Sequence, residues 1–192
     1  MPRLIILDRD GVINQDSDNY IKSVDEFVPI PGSLQAIAQL CQAGYPVVVA
    51  TNQSGIARKF FTLETLEAMH TKLQNLLTPL GGRIKRFYYC PHGPDEQCDC
   101  RKPKPGMILQ IAHDFPGEND SVDCNDFLLL GDSLRDLDAG MAAGTQVALV
   151  KTGKGQRSLK KIAEENLTQY SQLSVYTDLA DFTRQFLQAQ KH

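Results

Sequence analysis

The sequence predicts a three-layer α/β fold around a central, mostly parallel sheet, and three observations lead there. Apolar runs of strand length recur at Leu4 to Leu7, Pro46 to Ala50, Ile84 to Cys90, Phe127 to Leu130 and Gln146 to Val150. Stretches of helical periodicity alternate with them, the pattern of a sheet covered by crossover helices. Three of the runs stop abruptly at acidic or small polar residues: Asp8, Thr51-Asn52 and Gly131-Asp132. Such sheets bind ligands beyond the carboxyl ends of their strands, so the three stops are expected to share one edge.

Taken in order, the first strand is four apolar residues cut off by Asp8-Arg9-Asp10-Gly11. Asp8 and Asp10 are expected to face the crevice, with Arg9 pointing elsewhere. Residues 12–32 are largely polar, carry Tyr20 and Phe27, and end in Pro29-Ile30-Pro31-Gly32. At roughly twenty residues this exceeds the usual connection, which favours a substrate-contacting loop. A helix follows over 33–43, with Leu34, Ile37, Ala38, Leu40 and Cys41 on one face and Gly44 as its stop. After the second strand, Thr62 is a cap for a long helix to Leu80, ended by Gly81-Gly82. The third strand runs into a segment too rich in Pro, Gly and acids for regular structure. Pro105 then suits the first turn of a helix over 106–113, and Gly144 stops another over 133–143. The tail holds a basic stretch from Lys151 to Lys161 with a helix, and a last helix over 178–189. No repeat or composition break divides the chain, so one domain over 1–192 is expected, with no large cap domain.

Twenty Lys and Arg against 23 Asp and Glu, scattered rather than blocked, give a net charge of −3. That balance offers no polyanion-binding face, so no nucleic-acid partner is expected. No stretch approaches the roughly 18 apolar residues of a membrane span, and the chain enters its first strand without an extended apolar leader. A cytoplasmic monomer without a membrane partner is the expectation. Of five cysteines, Cys41 belongs to a helix face and Cys124 stands alone. Cys90, Cys98 and Cys100 fall within eleven residues, beside His92. Three thiolates and an imidazole suit a closed, structural Zn²⁺ site. The alternative, a Cys98–Cys100 disulfide, would be strained.

The three strand ends offer Asp8, Asp10, Thr51, Asn52 and Asp132, and Asp136 follows one helical turn later. Four carboxylates in one cleft need a cation, and an all-oxygen donor set suits Mg²⁺. Asp132 and Asp136 alone would read as a helix cap with a first-turn acid. Arg101 and Lys102, after the cysteine loop, add fixed positive charge, and together these groups suit a phosphate dianion.

Asp8-Arg9-Asp10-Gly11, Thr51 after the second strand, Lys102, and Gly131-Asp132 with Asp136 stand in the order of the haloacid-dehalogenase-like (HAD) phosphatases, which the chain resembles over most of its length. The segments Thr51 to Arg58, Cys90-Pro91-His92, Cys98 to Pro103 and Pro105-Gly106-Met107 resemble the branch that includes histidinol-phosphatase and a sugar-bisphosphate phosphatase. The resemblance implies that Asp8 is the nucleophile and carries an aspartyl-phosphate, and that Asp10 protonates the leaving sugar oxygen and then activates water. It implies Mg²⁺ held by the Asp8 and Asp132 side chains and the Asp10 carbonyl, with Asp136 orienting the lysine or the metal shell. It further implies that Thr51, the Asn52 N–H and Lys102 hold the phosphoryl oxygens, and that Cys90, His92, Cys98 and Cys100 bind zinc. The implied substrate is a small sugar bisphosphate that keeps one phosphate. Arg101, with help from Arg58 and Lys59, is the expected partner of the retained group, and Asn14, Gln15 and Ser54 of the sugar hydroxyls. The rival functions are histidinol-phosphatase on the same scaffold and a phosphate-binding protein without turnover.

Overall fold

The computed structural model describes residues 2–117 and 123–190. Its sheet has six strands: β1 (Leu4–Leu7), β2 (Val47–Asn52), β3 (Ile84–Cys90), β4 (Phe127–Gly131), β5 (Gln146–Val150) and β6 (Ser174–Tyr176). They lie in the order β3-β2-β1-β4-β5-β6, and every neighbouring pair is parallel. Parallel strands need crossovers, and six helices supply and cover them: α1 (Ser33–Gln42), α2 (Leu63–Leu77), α3 (Gly106–Asp114), α4 (Leu134–Ala143), α5 (Gly155–Glu164) and α6 (Leu179–Ala189).

Side chains alternate across the sheet, so each strand feeds two cores. On one face Ile5, Leu7, Val47 and Val49 meet Ile37 and Leu40 of α1, Met69 and Leu73 of α2, and Leu179 and Phe182 of α6. On the other, Leu4, Ile6, Val48 and Ala50 meet Ile108 and Ile111 of α3 and Ala139 of α4. A strand buried on both faces carries no polar alternation, which is why β1 reads as an unbroken apolar run.

Three boundaries depart from the sequence prediction. β2 continues through Thr51 and Asn52, which pair with Tyr89 and Cys90 of β3, so these polar residues end the strand rather than follow it. α2 stops at Leu77, and residues Thr78–Leu80 form a 3-10 turn. Pro79 has no N–H to continue the α-helical ladder. β6 is absent from the sequence prediction. It is three residues long and lies at the sheet edge with no fully buried side chain, so it leaves no apolar run to read.

Residues 12–32 contain no regular helix or strand, as expected, but are well anchored. Val12, Ile13 and Phe27 are fully buried, and isolated bridges join Asn14 to Asp10 and to Pro29. Cys41 lies half-buried at the rim of its core, its Sγ 3.3 Å from the Arg83 carbonyl. No helix among the described residues is long and apolar enough to cross a membrane.

Candidate active site

β1 and β4 are neighbours whose connections leave in opposite directions, the chain running to β2 and β3 on one side before returning to β4 on the other. Ligand crevices open at such a point. The Asp8 N–H donates to the Leu130 carbonyl at 2.9 Å, extending the β1/β4 ladder and setting Asp8 at the mouth of the crevice. Asp132 follows β4 directly. α4 begins so close behind that a Cβ on Gly131 would lie 2.2 Å from Asp136 Cβ.

Asp8, Asp132 and Asp136 each offer a carboxylate oxygen, all three within 4.8 Å of one another. Lys102 reaches in from the segment before α3 and is buried to 2 % exposure. Its Nζ lies 2.9 Å from Asp8 Oδ1, 2.5 Å from Asp136 Oδ1 and 2.6 Å from the Ala50 carbonyl. The Asn52 side chain fastens this segment, donating to the Lys102 carbonyl at 2.9 Å and accepting its N–H at 3.1 Å. The other oxygen of Asp136 accepts both the Ser133 hydroxyl (2.6 Å) and the Ser133 N–H (3.0 Å). Asp136 is therefore a helix-cap partner and a lysine partner at once, with both oxygens engaged.

The charges respond to this crowding. Burial, against the opposing pull of Lys102, pushes Asp8 up to about 6. Burial, with Asp136 and Asp8 nearby, pushes Asp132 up to about 8. Burial works against the Lys102 ammonium, but Asp136 and Asp8 outweigh it and hold its pKa above the usual lysine range. Lys102 in turn keeps Asp136 below the usual carboxylate range in spite of burial. A divalent cation between Asp8 and Asp132 would remove the penalty on both, and their all-oxygen donor set matches Mg²⁺ better than a softer metal.

Asp10 does not sit alone beside Asp8. Arg9, expected to point elsewhere, turns back under the loop and is fully buried. It grips Asp10 through Nε at 3.1 Å from Oδ1 and Nη2 at 2.9 Å from Oδ1 and 3.0 Å from Oδ2. Gln53 Nε2 donates to Asp10 Oδ2 at 3.0 Å and to Thr51 Oγ1 at 2.8 Å. Despite burial, Arg9, with Asn14 and Gln53, holds the Asp10 carboxyl below the usual carboxylate range. Strand alternation, which sends adjacent residues to opposite sides, hid Arg9. Its one signal was a lone arginine inside an apolar-to-acidic junction.

The cavity over these groups measures about 260 Å³ and is lined by Asp8, Asp10, Thr51, Asn52, Ser54, Arg101, Lys102, Asp132 and Asp136. The 12–32 loop contributes Asp16, Ser17, Asp18, Tyr20 and Ile21 to its wall, and Gln53, Pro94, Ser133, Arg135 and Lys154 complete it. Asn14, Gln15 and Arg58 do not line it. Asn14 is buried and spends its amide on Asp10 Oδ1 at 2.8 Å and the Gln15 carbonyl at 2.9 Å. Gln15 lines outer grooves beside the loop. Arg58 is exposed, its guanidinium 5.9 Å from the Tyr20 ring. Sequence reasoning assigned no site role to Gln53 or Arg135, polar residues whose solvent-facing and cavity-facing placements have one signature. Lys154, which after the fifth strand reads equally as flanking the opening or as part of a solvated basic turn, does line it.

Beside the cavity, one ligand atom from each of Cys90, His92, Cys98 and Cys100 also lies within 4.8 Å of the rest. The thiols are free. Arg101 Nη1 donates to the His92 carbonyl at 3.2 Å, which links this loop to the cavity wall.

A parallel sheet that delivers two aspartates two residues apart beyond β1, with a buried lysine bridging back from beyond β3, defines a HAD-type hydrolase. Residues 99–181 match the HAD-hydrolase-like family model. The chain is 52% identical over 185 residues to the D-glycero-beta-D-manno-heptose-1,7-bisphosphate 7-phosphatase of Pseudomonas putida, covering 96% of this chain and 99% of that one. It superposes with a TM-score of 0.86 and 47% identity on the crystal structure of D,D-heptose 1,7-bisphosphate phosphatase from Bordetella bronchiseptica complexed with magnesium and phosphate, covering 97% of this chain and 99% of that one. The corresponding enzyme of Burkholderia thailandensis gives 0.68 and 39%, covering 96% and 98%. The chain belongs to the D-glycero-D-manno-heptose-1,7-bisphosphate 7-phosphatase family.

Proposed function

We infer that the protein hydrolyses the C7 phosphate of D-glycero-D-manno-heptose 1,7-bisphosphate through an aspartyl-phosphate on Asp8, leaving heptose 1-phosphate. The observation that carries this is the Asp8 carboxylate held 2.9 Å from Lys102 Nζ, beside Asp132, in a chain so similar to enzymes of that activity. A bare carboxylate repels a phosphate dianion; the Lys102 ammonium offsets the repulsion at the reacting oxygen. Mg²⁺, held by the Asp8 and Asp132 side chains and the Asp10 carbonyl, supplies the remaining positive charge. Thr51 and the Asn52 N–H orient the phosphoryl oxygens with Lys102. Asp8 attacks phosphorus while Asp10 gives its proton to the departing C7 oxygen. Asp10 then takes a proton from the water that opens the acyl phosphate. Arg9 favours the ionised Asp10, and the negative charge of the bound phosphoryl group works the other way. The heptose 1-phosphate that remains is the form a nucleotidyl transfer would activate for surface polysaccharide.

Arg101 and Arg135, both on the cavity wall, are the cations we assign to the retained phosphate. The β anomer is favoured, as in the names of the Pseudomonas and Neisseria relatives. A structural Zn²⁺ in the cysteine loop is supported by the spacing of its donors: Cys90 Sγ lies 3.7 Å from Cys98 Sγ and 3.6 Å from His92 Nδ1, and Cys100 Sγ 3.4 Å from His92 Nδ1. Zn–S bonds of about 2.3 Å in a tetrahedron put sulfurs about 3.8 Å apart. With four protein donors such a metal would keep no open position, and what it would supply is a rigid loop leading into Arg101 and Lys102.

Phosphate release from both heptose 1,7-bisphosphate anomers and from histidinol phosphate tests the assignment. The β bisphosphate should be the preferred substrate and keep its anomeric phosphate by ³¹P NMR; faster hydrolysis of histidinol phosphate would select the rival. Asp8→Asn should abolish turnover and Asp10→Asn leave a trace. Metal analysis should find one zinc per chain, lost together with stability in Cys98→Ala.

A further inference from the structure

Arg9 is a buried guanidinium that makes and breaks no bond in the chemistry above. Taking such a group out of water is costly unless it is paired and hydrogen-bonded, so its surroundings show what it is for. One face lies over Phe27, with Cζ 5.7 Å from the ring centroid, and Nη1 is 3.8 Å from Met69 Sδ. Its remaining donors converge on Asp10. His70, packed on the α2 side, adds no second cation, since burial and Arg9 push its imidazole down to about 3. The Asp10 carboxyl thus meets two nitrogens of one guanidinium, Nε and Nη2, a fork that lysine, a point charge, does not reproduce.

The donors divide unevenly. Oδ1 takes Arg9 Nε, Arg9 Nη2 and Asn14 Nδ2, whereas Oδ2 takes Arg9 Nη2 and Gln53 Nε2. Gln53 also donates to Thr51 Oγ1, so Oδ2 is the oxygen tied toward the phosphoryl-binding strand end. We propose that Arg9 is a positioning residue for proton transfer: with Gln53 as the second arm of the clamp, it fixes the plane of the Asp10 carboxyl and presents Oδ2 to the leaving-group oxygen. The proposal rests on Asp10 being the acid and base. In the first half-reaction the Asp8–phosphorus bond forms, the phosphorus–C7 oxygen bond breaks, and the proton on Asp10 Oδ2 moves to that oxygen. In the second, water attacks phosphorus and gives its proton back to Oδ2, and Asp8 leaves as a carboxylate with inorganic phosphate as product.

A residue that acts through proton donation matters only where the leaving group needs a proton. The test compares the heptose bisphosphate, whose leaving group is an alcohol, with p-nitrophenyl phosphate, whose leaving group departs unprotonated, in single-turnover measurements of leaving-group release. Arg9→Met should slow release from the sugar ester about 100-fold and p-nitrophenol release less than about threefold, with KM little changed. Arg9→Lys, which keeps the charge but not the fork, should fall between wild type and Arg9→Met. Equal losses on both substrates, or none, overturn the proposal. Should neither Arg9 variant fold, Gln53→Met decides by the same criterion, with a smaller loss confined to the sugar ester expected. Asp10→Asn is the control. If it too lacks the leaving-group bias, the acid-base assignment fails and takes this proposal with it; if it shows the bias and the Arg9 and Gln53 variants do not, the proposal alone fails.

Discussion

Asp132 reaches the crevice through a gap between two backbones. A Cβ on Gly11 or on Gly153 would lie 2.1 Å from Asp132 Oδ2, and one on Gly153 would also come within 2.5 Å of Gly11 Cα. Both glycines hold positive φ, +87° and +55°. The same Asp132 oxygen accepts the Lys154 N–H at 2.7 Å, so the carboxylate is set by main chain on both sides. Gly153→Ala is expected to displace it and to move the magnesium activation curve about 10- to 100-fold higher, the range for damage beside a metal ligand; activity against Mg²⁺ concentration measures this. His70 carries the pH prediction. It stacks on Phe87 with centroids 4.1 Å apart and is held neutral, its pKa depressed from 6.5 to about 3. A depressed folded-state value means the unfolded chain binds the proton first. The stability His70 contributes is therefore complete above about pH 6.5 and is lost as pH falls toward 3. Between pH 7.5 and pH 5, wild type should lose about 1–2 kcal/mol more than His70→Phe in urea unfolding.

Among the connecting segments, 12–32 shows how an irregular stretch becomes a wall of the active site. Lys72, on α2, donates from Nζ to the carbonyls of Val24 (2.7 Å) and Phe27 (2.9 Å), closing the far end of the loop. Lys154 pairs with Asp16 at 2.5 Å, closing the near end beside Asp132. Lys72→Met should destabilise the fold by about 1.5–3 kcal/mol, the range for charge-assisted hydrogen bonds. It should also open residues 16–26 to limited proteolysis, and cleavage no faster than in wild type would refute this. Helices and strands with full periodicity were legible to within a residue or two, α1, α4 and β5 among them. Short or polar-ended elements were not: β6 carries no pattern, and nothing in Thr51-Asn52 distinguishes the end of a strand from the turn after it.

Across the whole molecule, the C-terminal tail is part of the core. α6 lays Leu179, Phe182 and Phe186 into the cluster shared by α1 and β1, and β6 extends the sheet. Ser158 of α5 donates to the Asp132 carbonyl at 2.9 Å, so the tail also braces the site. Phe182 is fully buried, and Phe182→Ala should cost about 3–5 kcal/mol, a large share of the stability of a domain of this size, measurable as a lowered urea midpoint. The strand ends carrying Asp8, Thr51 and Asp132, the need for a divalent cation, and the cysteine-histidine loop could all be read from residue order, because apolar runs and their polar stops are local. The clamp of Arg9 on Asp10, the diversion of Asn14 from substrate to support, and the cavity roles of Gln53 and Arg135 could not. Arg9 and Asn14 reach Asp10 from only one and four residues away. Which way such side chains turn is set by distant groups that enclose them once the sheet closes, Phe27 and Met69 around Arg9 and Gln53 on Asp10, and contact across tens of residues leaves no period in the chain to read.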